Sequence, residues 1–140
     1  MDETTATNDK TTTGSVTIRV NRKSGKDGVQ FFVDEVTVQG GNSKGVKATW
    51  VAGSGGTFRP VGISKYDYDD DRIRNVDINE ETVVAKFRGG LGKVQYILHV
   101  LDFTEEKGGL MYMAYGGEPE ASVETGGRRR PWPPPIIIID

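Results

Sequence analysis

Carboxylates crowd one short stretch of this chain. Asp67, Asp69, Asp70 and Asp71 surround Tyr68, and Asp77, Glu80 and Glu81 follow closely. The spacing of Asp67, Asp69 and Asp71 matches the first three ligand positions of a calcium loop, and hard carboxylate oxygens suit Ca²⁺. The rest of that pattern departs: Arg72 stands where the tight turn needs Gly, and Ile78 where a bidentate Glu would close the shell. A non-EF calcium site at Asp67, Asp69 and Asp71 is one expectation. A solvated acidic loop offset by Arg72 and Arg74 is the plainer one. Two of these acids could also be posed as a glycosidase pair, but any two acids could be.

His99 is the only histidine. It lies between Ile97 and Leu101, and spacing nominates no partner for it as a general base. With no cysteine in the chain, thiolate metal sites, a thiol nucleophile and disulfides are all excluded, and a lone histidine cannot make a multi-histidine metal site. The glycine motifs are turns. Gly92-Lys93 is followed by Val94, and Phe87 replaces the leading Gly of a phosphate loop. Tyr66 and Tyr68, beside the acids, could stack on a sugar; Trp50 is in phase with Val46 and Ala48 and reads as core.

The end of the chain departs from everything before it. Arg128, Arg129 and Arg130 precede Pro131, Trp132 and three further prolines. Ile136, Ile137, Ile138, Ile139 and Asp140 follow. The proline run favours an extended, stiff segment. The isoleucines favour a strand, and left in water they would aggregate. Burying half their apolar surface is worth roughly 4–6 kcal/mol before ordering costs. The tail therefore reads either as a strand for a neighbour's sheet, with the arginines setting register, or as a strand that closes the chain's own sheet.

The elements that must position these residues are strands. Val, Ile, Thr, Tyr and Phe recur in alternating runs bounded by Gly, and no long run has helical period. Val16, Ile18 and Val20 alternate with polar residues. Residues 29–39 form a long strand whose phase breaks at Asp34-Glu35, which predicts a bulge or a bend from one sheet into another. Val46, Ala48 and Trp50 alternate next. Residues 57–64 are weaker, with Pro60 suited to an edge or bulge. Residues 82–103 read as a hairpin turning at 89–92, and 110–115 as a short last strand. The expected fold is a single antiparallel β-sandwich of about seven strands over residues 15–115, with a small β-barrel as the alternative. Residues 1–14 form an N-terminal arm and 116–140 a C-terminal one.

With 140 residues and a formal net charge of −2, the chain holds one domain and offers no general attraction to nucleic acid. No apolar run approaches the roughly 20 residues of a membrane-spanning helix. Residues 1–14 contain no apolar stretch of the signal-peptide kind, so the compartment is left open, with an extracellular or assembly-associated setting favoured. No motif carries a family resemblance. The expected role is non-enzymatic: a structural subunit of a filament, shell or surface layer. It would join copies of itself or a protein partner by strand addition through Arg128, Arg129, Arg130, Trp132 and the four isoleucines. The alternative is a lectin-like module that binds a glycan at Tyr66 and Tyr68, with or without calcium.

Overall fold

A computed structural model of the protein describes residues 14–25, 28–39, 45–52, 56–88, 90, 92–104, 108–117 and 133–140. Among these there are eleven strands and no helix. In chain order they are β1 (Ser15–Gly25), β2 (Gly28–Val33), β3 (Val36–Val38), β4 (Val46–Ala52), β5 (Phe58–Lys65) and β6 (Ile73–Ile78). Then come β7 (Thr82–Phe87), β8 (Gly92–Asp102), β9 (Leu110–Met113), β10 (Tyr115–Gly116) and β11 (Ile136–Ile139). The first sheet has the order β10-β2-β1-β4-β7-β6. The second has the order β3-β11-β8-β5, with β9 also paired to β8.

The all-β class agrees with the alternation in the sequence, but the strand count and the pairing do not. Eleven strands replace the expected seven, partly because two runs are each divided between the sheets. The break at Asp34-Glu35 separates β2 in the first sheet from β3 in the second, and Ala114 separates β9 from β10 in the same way. A purely antiparallel meander is also wrong. β1 pairs with β4, β10 with β2 and β11 with β3, all in parallel. The cause is the excursion through β3: the chain leaves the first sheet at the Asp34-Glu35 bend and re-enters it beside β1 in the same direction. Parallel neighbours need such a crossover rather than a tight turn.

The expected hairpin over residues 82–103 is likewise corrected. β7 lies between β4 and β6 in the first sheet, whereas β8 lies between β11 and β5 in the second. Val83, Ala85 and Phe87 are buried on β7, and Val94, Tyr96, Leu98 and Val100 on β8. Placing the strands in opposite sheets lets both apolar faces share one core. The glycine-rich connection performs the crossing, with Gly90 and Gly92 at φ of 125° and 116°, where side chains other than glycine are strained.

The core joins the two sheets through rings. The Trp50 Nε1–H donates to the Tyr96 hydroxyl at 3.0 Å, and the two ring centroids lie 5.2 Å apart. Phe87 packs against both. Burial pushes the Tyr96 phenol well above its ordinary value, and the bond from Trp50 only partly opposes this. Tyr96 is thus a neutral structural group. Pro60 sits where β5 slips register against β8, between Pro60 and Gly62, at the outer strand of the second sheet.

Candidate functional site

The C-terminal isoleucines lie inside the second sheet. Ile137 pairs with Val94 on β8 in antiparallel fashion and with Val36 on β3 in parallel. Ile137 and Ile139 are buried in the core, and Ile136 and Ile138 are half-buried on the other face. Asp140 N–H donates to Val38 O at 2.8 Å, so the pairing continues to the last residue. The prolines do not project this segment away from the domain. Pro133 O accepts from Gly116 N–H at 2.8 Å, and Pro135 O from Tyr96 N–H at 3.1 Å. Arg128, Arg129, Arg130 and Trp132 lie outside the described residues, as do residues 1–13.

At Gly116 the tail passes close against the backbone of β10. A Cβ there would collide with the Pro134 carbonyl oxygen and come within 3.0 Å of Pro135 Cα. Both are backbone atoms and cannot turn aside. Gly116→Ala is expected to cost about 1–3 kcal/mol in urea unfolding, the usual cost of overpacking a tight contact. An unchanged midpoint would mean that the tail does not pass over Gly116.

The acidic loop is a set of turns. Asp67 Oδ1 accepts from Asp69 N–H at 3.1 Å, and Asp70 Oδ1 from Arg72 N–H at 3.0 Å. Asp71 faces Arg74 and Arg88 at 3.7 and 3.9 Å. Of the three acids proposed for calcium, Asp67 caps a turn and Asp71 faces two arginines, and among the described residues no three acidic or histidine side chains converge on a common metal position. Tyr68 is 84% exposed with the Lys65 ammonium 5.1 Å from its ring centroid, and Tyr66 is 43% exposed. The Arg72 guanidinium reaches away from the acids to Arg88 O at 3.1 Å and Gly90 O at 2.5 Å, where it ties down the crossing between the sheets.

Two polar pairings escaped the sequence reading. His99 Nε2 lies 3.1 Å from Ser64 Oγ across the β5–β8 pair. No spacing could have nominated Ser64: after the register slip at Pro60 it is Gly62 that lies opposite His99, and Ser64, opposite Ile97, reaches the ring diagonally on the same face. Asp102, at the end of β8, is the one buried charged residue among those described. It accepts from Thr104 Oγ1 at 2.6 Å and Thr104 N–H at 3.2 Å, and its other oxygen faces Arg22 of β1 at 3.3 Å. Burial alone would raise its pKa. The hydrogen bonds from Thr104 and the bond and charge of Arg22 outweigh that and hold the carboxyl below its ordinary value of 3.8. Asp102 thereby ties the second sheet to the first.

No protein-family model matches this chain, and no curated protein matches its sequence.

Proposed function

We propose that the chain is a non-enzymatic assembly subunit that joins copies of itself by exchanging its C-terminal strand. In this reading the two sheets are the layers of a β-sandwich, and β11 of one copy fills the position between β3 and β8 of the next. The observation that carries the reading is the placement of β11. It is paired along both edges, yet among the described residues the strand before it in sequence, β10, belongs to the other sheet. A strand held this way leaves an apolar slot when it withdraws. The contacts it makes within its own chain are those that a neighbour's strand would make, which is the condition for swapping. Donated head to tail, the strand gives a filament or a ring; donated reciprocally, a dimer.

The absence of cysteine from the chain provides a direct test. Lys93 and Ile138 face each other across β8 and β11, and antiparallel partners lie about 4.5–5.5 Å apart at Cα, within disulfide reach. Oxidation of the Lys93→Cys/Ile138→Cys variant at assembly concentration is expected to give covalent dimers and higher species that collapse on reduction. Each single variant can give dimers at most. A double variant that oxidises only to a cross-linked monomer, with light scattering of the unmodified chain also monomeric, overturns the reading.

A further inference from the structure

We propose that a cleft at one edge of the two sheets binds a neutral saccharide ring. It holds about 430 Å³ and is framed by Val51 and Ala52 at the end of β4, Glu80 and Glu81 in the turn before β7, Arg59 on β5, and Phe103 just after β8. That volume falls within the roughly 300–1,000 Å³ usual for small-ligand sites. The site is separate from the 66–71 loop and does not depend on strand exchange.

Arg59 is the centre of the argument. One guanidinium nitrogen, Nη1, donates to Glu80 O at 2.9 Å, which links the edge strand of the second sheet to the turn of the first. The guanidinium carbon lies 6.0 Å from the centroid of the Phe103 ring. Its Nε is buried and finds no hydrogen-bond partner among the described residues. An unpaired buried donor is costly; because this Nε is closed to solvent, an oxygen entering the cleft relieves it only together with a shift of the Arg59 side chain. Glu80 and Glu81, which also line the cleft, are exposed residues, and their carboxylates can only accept.

These groups ask for a ligand that accepts and donates within a small span. The cleft holds one cation and two carboxylates, so a free carboxylate or phosphate would meet a net negative lining. A sugar hydroxyl accepts from Arg59 and donates to Glu80 or Glu81 without bringing charge. Its C–H face suits Val51, Ala52 and the Phe103 ring, which is 39% exposed. An aromatic ring beside a few convergent polar groups is the usual composition of such a site.

The test is a titration of the ¹⁵N-labelled full chain with methyl glycosides of glucose, galactose, mannose and N-acetylglucosamine. Each is taken to about 10 mM, well above a millimolar dissociation constant. At least one is expected to move the amide signals of Arg59, Glu81 and Phe103 together. Arg59→Lys keeps the charge but loses the planar fork, and is expected to weaken binding about tenfold or more. Phe103→Ala, at a partly exposed ring, should do the same with the rest of the spectrum retained, and Tyr68→Ala should leave binding unchanged. The proposal is overturned if none of the four moves these signals, if the shifts centre on the 66–71 loop, or if Arg59→Lys binds as well as the parent. Shifts at the cleft with acetate or glycine but with no glycoside also overturn it, in favour of an anionic or zwitterionic ligand.

Discussion

Replacing Ile137 by alanine is expected to destabilise the protein by about 2–5 kcal/mol, whereas Ile136→Ala should cost about 1 kcal/mol or less. The two residues are neighbours of identical type, so composition cannot distinguish them; only the pleat does. Ile137 is fully buried, with Val94 and Val36 as its flanking partners, while Ile136 is half-buried on the opposite face beside exposed Gln95. Removing three carbons from Ile137 leaves a void between two strands that cannot close on it, because β8 is also held by β5. Urea unfolding at two protein concentrations reads the difference. Equal, small effects at both positions would sink the placement of β11 in the core. A large effect at Ile137 whose size depends on protein concentration would identify the partner strand as another copy's, since only association makes stability depend on concentration.

Alternation is a local property, and it identified the buried faces well: Val16, Ile18 and Val20, then Val46, Ala48 and Trp50, then Val94, Tyr96, Leu98 and Val100 are all core. The phase break at Asp34-Glu35 was legible for the same reason, because a strand that changes sheets must exchange its inner parity for its outer one. Which strands pair is not local. Residues 82–103 have every mark of a hairpin, but β7 and β8 bury their faces against each other across the core rather than side by side. Four consecutive isoleucines have no parity to read, so neither their register nor the chain that receives them could be inferred. The Arg59 cleft was invisible because its members come from β4, β5, the turn before β7 and the end of β8. Asp102 gave no signal either: an aspartate at the end of a strand is usually solvated, and what buries it is the arrival of Arg22 from the other sheet.

Asp102 provides the other large expected effect. Asp102→Ala should cost about 3 kcal/mol, since it leaves the largely buried Arg22 guanidinium and both Thr104 donors without their acceptor. The Arg22 side chain is 21% exposed and the Asp102 side chain 5%, so the cationic partner retains some solvent when the carboxylate goes, which places the cost at the lower end for a broken buried pair. Asp102→Asn keeps the shape and an acceptor for Thr104 but removes the charge, and its cost should fall between that of the parent and alanine variants. The pH dependence separates charge from packing. The folded carboxyl titrates below 3.8, the value of the free group. Its contribution is therefore complete above the unfolded pKa and is lost as pH falls through the folded one. The unmodified chain should lose stability between about pH 5 and pH 2, and Asp102→Asn should lose less over the same interval, so that the two curves converge in acid. Parallel curves would mean that the carboxylate is solvated and that the link from Arg22 through Asp102 to Thr104 does not hold the sheets together. Converging curves would assign to this one buried charge the joining of β1 to β8 at the end of the core, a contact independent of the isoleucine tail. The main sheets would then stay joined whether a chain keeps its own last strand or receives another's.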